Sequence, residues 1–166
     1  MPQIKSIAIS ACLLGHKVRY DGDHQENTII KQLTEHFTII PVCPEVEIGL
    51  GVPRAKIELH QQGTKIHLLT CTQPVVDLTE KMMSYAETFL DNSQISGFIL
   101  KDKSPSCGVD NCKQWNEKGK MQRNGTGIFT AAILKLKPGL PMLQSNLVTQ
   151  ASDLDNFIQQ VAAYED

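Results

Sequence analysis

The sequence lacks a long apolar run and has little excess charge of either sign. No stretch of its 166 residues approaches the roughly 20 apolar residues that a membrane-spanning helix needs, and its start has no apolar core of a signal peptide. The formal net charge of −2 offers no basic face for duplex nucleic acid, although it leaves room for a small phosphorylated partner. We therefore expect a cytoplasmic protein that binds neither membrane nor duplex nucleic acid.

Internal repeats, linkers and low-complexity tracts are also missing. The length suits one compact domain, which we assign to residues 1–166, and the apolar fraction of 41% is enough for its core. Apolar runs without alternation predict buried strands at 4–10, 38–42, 97–100 and 140–143. Apolar residues at helical spacing follow these strands and predict helices that begin near Asn27, at Pro74, after Gly127 and at Ser152. A capping box fits at Ser152.

Strands that alternate with amphipathic helices predict right-handed crossovers between parallel strands. We therefore predict an α/β fold of three layers, with a mostly parallel, Rossmann-like open sheet. Residues 56–69 predict a small β-hairpin insertion around a central Gln-Gly-Thr. Residues 44–55 are predicted to be a loop, and the apolar residues of 109–124 follow no helix or strand periodicity.

Three of the five cysteines follow predicted strands. Cys12 and Cys43 come directly after the first and second strands, and Cys107 lies a few residues past the third. The carboxyl ends of parallel strands meet at one edge of the sheet, so we expect these thiols to be neighbours. The alternative is that they are small buried core residues. Cys71 and Cys112 lack this placement. We interpret Cys71 as a small buried core residue and Cys112 as a solvated loop residue, with an accessory thiol as the alternative for Cys112.

Three thiolates are soft ligands and favour zinc, copper(I) or an iron–sulfur cluster. A four-iron cluster on three cysteines would keep one iron open, which suits Lewis-acid chemistry. A catalytic zinc with three cysteines and a water is an equally acceptable site. Coordination chemistry alone leaves both possibilities open.

Five short motifs occur in an order that matches a known family. They are SACLLG at 10–15, RYDG at 19–22, PVCPE at 41–45, PR at 53–54 and SPSCG at 104–108. Together they resemble the thiouracil desulfidase (TudS-like) family over about residues 5–145. Each motif is weak alone, but five in register make a chance match improbable.

The resemblance implies a [4Fe-4S] cluster held by Cys12, Cys43 and Cys107. It also implies removal of sulfur from a thiolated pyrimidine, thiouracil or 4-thiouridine monophosphate, to give the oxo base and sulfide. The open iron would bind the substrate sulfur and polarise the C–S bond, with no net redox change. The partner domain of longer relatives that act on transfer RNA is missing, which favours a free base or a mononucleotide.

Water needs a base in this reaction, and Glu45 lies two residues from a predicted ligand. Ser104 matches the family position that assists the same step, although both residues also fit purely structural loop roles. We predict substrate contacts from a larger set: Arg19, Asp21, Arg54, Ser106, Gly125, Thr126 and Gly127. The arginines suit an anion, and 125–127 begin a helix with free N–H groups.

Two other classes of function use the same thiols. One is a non-catalytic cluster-binding redox sensor or sulfur carrier. The other is a zinc-dependent hydrolase that acts on a similar heterocycle. Metal content and sulfide release distinguish all three.

Overall fold

The computed structural model describes residues 3–166, so Met1 and Pro2 of the predicted domain lie outside the described residues. Its strands are β1 (Ser6–Ser10), β2 (Thr38–Val42), β3 (Ile57–Gln62), β4 (Lys65–Thr70), β5 (Phe98–Leu100), β6 (Cys112–Trp115), β7 (Met121–Gly125) and β8 (Met142–Gln144). Its helices are α1 (Thr28–Lys31), α2 (Pro44–Glu47), α3 (Thr79–Asn92), α4 (Ile128–Leu136) and α5 (Asp155–Ala163). Within these residues no helix has the length and apolar character needed to cross a membrane.

The first sheet is parallel throughout, with the strand order β2-β1-β5-β8. Ile7 and Ile9 of β1 face one core with α1 and α5, where Phe157 is buried. Ala8 faces a second core with α3 and α4, where Phe129 is buried. Burial on both faces explains the continuous apolar runs of these strands. The predicted α/β fold class is confirmed.

The second sheet is mixed, with the strand order β4-β3-β6-β7. The predicted hairpin forms β3 and β4, and a second hairpin of β6 and β7 joins it through a parallel β3–β6 pair. The prediction of a small hairpin insertion was therefore incomplete. Strand β7 is exposed from Met121 to Asn124. Its sequence therefore lacks the alternation of apolar and polar residues that would have predicted a strand.

Several predicted boundaries differ from the structure. Helix α3 begins at Thr79 rather than Pro74, because the chain first pairs with β4 through bonds such as Leu78 N–H to the Leu68 carbonyl. The capping box of the last helical segment uses Gln150 and Asp153 rather than Ser152. Residues 44–47 form a short helix inside the predicted loop.

The helix start predicted near Asn27 is confirmed. The Asn27 side chain accepts hydrogen bonds from the N–H groups of Ile29 and Ile30. The α-helix is short, and a 3-10 segment at residues 32–35 continues it. The segment still buries Leu33 against β1, as its spacing indicated.

Candidate active site

A cavity of about 440 Å³ lies at the carboxyl ends of the parallel strands, and three thiols line it. Cys12 lies in the turn after β1, Cys43 lies between β2 and α2, and Cys107 lies in the loop after β5. The thiols are near enough that ionising Cys12 or Cys43 would raise the pKa of Cys107. The strand order changes direction beside β1, which is where open α/β sheets bind ligands.

Burial controls the protonation of these thiols. It raises the pKa of Cys12 to about 11, although the charges of Lys101 and Arg19 work in the opposite direction. Burial also raises the pKa of Cys43 and of Cys107. The thiols therefore keep their protons at neutral pH in the metal-free protein, and a bound metal must displace them.

All three thiols line the same cavity. Among residues 3–166, no three Cys, His, Asp or Glu side chains lie close enough to hold a single metal ion. Cys12 and Cys107 are buried, while Cys43 is half-buried and its thiol is 3.7 Å from the Val18 carbonyl oxygen.

The N-terminus of α4 holds the loop that carries Cys107. The Gly127 N–H donates to the Gly108 carbonyl at 2.7 Å, and the Thr130 hydroxyl donates to the Cys107 carbonyl at 2.8 Å. A Cβ atom at Gly127 would lie 2.3 Å from the carbonyl carbon of Ser106, so only glycine permits this approach. The position of Cys107 therefore depends on close backbone contact with α4.

This contact bears on the anion site predicted at 125–127. None of Gly125, Thr126 and Gly127 lines the cavity. The Gly127 N–H is already bonded to Gly108, and the Thr126 hydroxyl exchanges hydrogen bonds with Asp110. These hydrogen bonds of Gly127 and Thr126 support loop anchoring rather than substrate binding.

Glu45 projects into the cavity from the first turn of α2 with both carboxylate oxygens bonded. Arg54 Nε donates to Oε1 at 3.0 Å, and the Ser106 hydroxyl donates to Oε2 at 3.1 Å. Arg54 is 7% exposed on its side chain, and Ser106 is fully buried and outside the cavity lining. Two residues predicted to contact substrate therefore fix the orientation of the predicted base.

Ser104 lines the cavity and also forms the turn before Cys107. Its hydroxyl oxygen accepts the N–H groups of Ser106 and Cys107 at 3.2 and 3.1 Å. Its carbonyl accepts the thiol of Cys112 at 2.9 Å. Cys112 is fully buried, so the interpretation of Cys112 as a solvated loop residue was wrong. Strand β6 carries Cys112 into the core. Cys71 is exposed, so its interpretation as a small buried core residue was also wrong.

Arg19 lines the cavity, whereas Asp21 does not. The Nε of Arg19 is buried without a hydrogen-bond partner in the described residues, and Asp21 Oδ1 lies 3.7 Å away. Asp21 Oδ1 accepts the Asp23 N–H and so closes the turn. Arg19 is therefore a donor with unused capacity beside the thiols.

A charged pair in the cavity wall was not predicted from the sequence. Lys101 Nζ contacts Asp102 Oδ1 at 3.0 Å, and the Ser145 hydroxyl donates to the same oxygen at 2.6 Å. Burial disfavours ionised Asp102, but the hydrogen bonds from Ser145 and Lys101 outweigh it and hold the pKa of Asp102 below its usual value. Both residues directly follow β5, so the strand-end rule that selected Cys12 also applied to them.

Fold and site together define an α/β protein with a cysteine-lined cavity at the carboxyl edge of a parallel sheet. The chain belongs to the 2-thiouracil desulfurase family, whose model matches residues 7–145. The uncharacterized protein YbbK of Bacillus subtilis (strain 168) is 34% identical over 137 residues, which cover 78% of this chain and 89% of the relative.

A solved structure has a similar fold. It is described as the [4Fe-4S]-dependent thiouracil desulfidase TudS, and it matches with a TM-score of 0.67 and 30% sequence identity. The match covers 89% of this chain and 95% of that chain. The family indicated by the five sequence motifs is thereby confirmed.

Proposed function

We propose that this protein removes sulfur from a thiolated pyrimidine, thiouracil or its mononucleotide, by non-redox hydrolysis on a [4Fe-4S] cluster. Cys12, Cys43 and Cys107 would hold the cluster. The observation that carries the proposal is that these thiols, from three separate strand ends, line one cavity. The family and the similar TudS structure support the same reaction class.

The residues present fit such a cluster by the chemistry of their donors. Three thiols are the ligands that iron–sulfur clusters use, and all three line the same cavity. When bound, the cluster would supply Lewis-acid polarisation of the substrate sulfur at an iron that the protein does not ligate. Lys101 and Arg19 lower the cost of ionising Cys12 and so favour the ligating form.

Glu45 would act as the general base toward the attacking water. Its carboxylate is 15% exposed at the cavity and is oriented by Arg54 and Ser106. A fixed carboxylate that takes a proton from water and returns it to the ring nitrogen raises the rate by about 10²- to 10⁴-fold. No other carboxylate in the described cavity wall is two residues from a cysteine ligand.

Arg19 and Ser104 would orient the pyrimidine ring of the substrate. The buried Nε of Arg19 has no hydrogen-bond partner within the described protein, since Asp21 Oδ1 is 3.7 Å away, so a substrate oxygen would satisfy it. The Ser104 oxygen accepts two backbone N–H groups, which leaves the hydroxyl proton available to the cavity. A cavity of about 440 Å³ is within the range of small-molecule sites.

The test is anaerobic loading with iron and sulfide, followed by measurement of sulfide released from thiouracil and 4-thiouridine monophosphate. We expect sulfide and the oxo base in equal amounts, without added reductant. A brown protein that releases no sulfide from either compound would instead be a sensor or sulfur carrier. A colourless protein with one zinc per chain would instead be a hydrolase.

A further inference from the structure

Ser10 is the last residue of β1 and lies deep in the cavity wall beside the thiols. It is 3% exposed and lines the same cavity as Cys12, Cys43 and Cys107. Its hydroxyl is hydrogen-bonded to the Cys107 thiol. The strand end that carries Cys12 therefore also contacts the side chain of a second predicted ligand.

The backbone of Lys101 fixes the orientation of this hydroxyl. The Lys101 N–H donates to Ser10 Oγ at 3.0 Å, just beyond the paired residues of β1 and β5. A serine hydroxyl has one proton to donate, and an oxygen that accepts an N–H keeps that proton for another partner. A metal-bound cysteine is a thiolate, which can only accept a hydrogen bond. With Cys107 as a ligand, the Ser10 proton is therefore directed at the Cys107 sulfur.

Other residues hold the backbone of Cys107 in place. Ser104 Oγ accepts the Cys107 N–H at 3.1 Å, and the Thr130 hydroxyl donates to the Cys107 carbonyl at 2.8 Å. The Ser10 hydroxyl is bonded to the sulfur instead. Its main effect is therefore on the electron density of the ligand and not on the shape of the loop.

Cys107 is also the most deeply buried of the three thiols. It is 4% exposed, whereas Cys12 is 8% exposed and Cys43 is half-buried. Burial raises the pKa of Cys107, and the hydrogen bond from Ser10 is the largest influence in the opposite direction. A thiolate this far from water needs a donor inside the protein, because its charge is otherwise costly to bury.

We propose that Ser10 is a positioning residue whose hydroxyl donates a hydrogen bond to the Cys107 thiolate and so raises the reduction potential and the Lewis acidity of a cluster bound there. The inference rests on the proposed function, because it takes Cys107 as a cluster ligand. Hydrogen bonds to the sulfur atoms of iron–sulfur proteins withdraw negative charge and so favour the reduced form. The same withdrawal makes an iron a stronger Lewis acid toward a substrate sulfur.

Redox titration of the anaerobically reconstituted full chain tests this bond without requiring turnover. Ser10→Ala removes the hydroxyl and should shift the reduction potential, followed by the spin-resonance signal of the reduced cluster, to a more negative value. We expect about a tenfold change in the equilibrium constant for one-electron reduction, which corresponds to about 59 mV. Ser10→Thr keeps a hydroxyl at the same position and should restore most of the shift.

Two control variants separate the bond to sulfur from support of the fold. Ser6→Ala makes the same change in the same strand, outside the cavity lining, and should leave the potential unchanged. Thr130→Val removes the bond to the Cys107 carbonyl, so it should lower stability in urea and leave the potential near that of the unmodified protein. Equal potentials of Ser10→Ala and the unmodified protein, or an equal shift in Thr130→Val, would overturn the proposal.

A second measurement needs no substitution. Transfer of the reconstituted unmodified protein from water into D₂O exchanges the Ser10 hydroxyl proton and should shift the iron–thiolate stretching bands in resonance Raman spectra. Ser10→Thr should keep this shift, and Ser10→Ala should reduce it. Identical bands of the unmodified protein in the two solvents would also overturn the proposal.

Sulfide release separates this inference from the proposed function. We expect Ser10→Ala to release sulfide from thiouracil more slowly than the unmodified protein does. A shifted potential in Ser10→Ala, with no sulfide released from any thiolated base by the unmodified protein, would keep the role of Ser10 and remove the desulfidase function. Sulfide release with equal potentials in the two proteins would do the reverse. An unmodified chain that takes up no cluster would overturn both.

Discussion

At the scale of single residues, the cavity depends on side chains that fix one another. Glu45 has no freedom to turn, because Arg54 holds one oxygen and Ser106 holds the other. A carboxylate fixed in this way needs little reorganisation when it takes a proton, which is how preorganised sites lower reaction barriers. The chemistry of the site is therefore most sensitive to the loss of the Glu45 charge.

Glu45→Gln tests this role directly. The amide keeps the shape of the side chain but has no oxygen basic enough to take a proton, so kcat should fall by roughly 10²-fold or more. The absorption of the loaded cluster should be unchanged. Glu47→Gln is the matched control, since Glu47 belongs to the same short helix and lies outside the cavity lining. Near-normal kcat in Glu45→Gln would reduce Glu45 to a structural residue.

The raised pKa of Cys12 predicts a pH dependence of stability in the metal-free protein. The thiol ionises near 9.0 in the unfolded chain but at about 11 in the folded one. The unfolded state therefore holds fewer protons between these values, and stability falls as pH rises through them. Urea denaturation under reducing conditions should show a larger loss in the unmodified protein than in Cys12→Ala. Equal losses would contradict the predicted burial of this thiol.

Residues of the candidate site were predictable from the sequence where they directly follow a strand. Cys12 and Cys43 were predicted in that way, and Glu45 from its position two residues after Cys43; the structure places all three at the cavity. The pairing of Arg54 with Glu45 was not predictable, because a separation of nine residues along the chain carries no signal of contact. The packing of the intervening loop decides it.

At the scale of elements, the start of α4 supports the Cys107 loop. Gly127 brings its backbone against Ser106, and Thr130 bonds the Cys107 carbonyl. The N–H groups at the start of α4 also need partners outside the helix, and those of Ile128 and Thr130 donate to the Pro105 and Ser106 carbonyls. The loop supplies them, and its thiol is thereby held at the cavity.

Gly127→Ala tests this support. The added methyl group would lie 2.3 Å from the Ser106 carbonyl carbon, so the loop must shift, at a cost of about 1–3 kcal/mol in the free energy of unfolding. Cluster loading should fall in parallel. Gly139→Ala is the control, since nothing lies within 4 Å of a Cβ there, and its effect should stay within about 0.5 kcal/mol. Equal effects of the two changes on urea denaturation would contradict the account.

Elements were predictable where an apolar run marks them in the sequence. Strands β1, β2 and β5 have continuous apolar runs and were located within about two residues. The hairpin of β6 and β7 was missed, because only Cys112 and Gly125 are buried in it. Lys113 and Arg123, which line the cavity from this hairpin, were missed with it.

At the scale of the whole molecule, topology creates the site. Cys12 and Cys107 are separated by most of the chain, and only the parallel order β2-β1-β5 brings their strand ends together. The second sheet then closes the other side of the cavity with cations. One edge thus provides soft ligands, and the facing wall provides charge.

The most direct measurement of this arrangement is the iron and inorganic sulfide content of the anaerobically reconstituted protein. We expect about four of each per chain, retained in Cys71→Ser, whose thiol is exposed. Cys12→Ser, Cys43→Ser and Cys107→Ser should each lose most of the iron. Iron bound equally well by all four variants, or no iron bound by the unmodified chain, would contradict it.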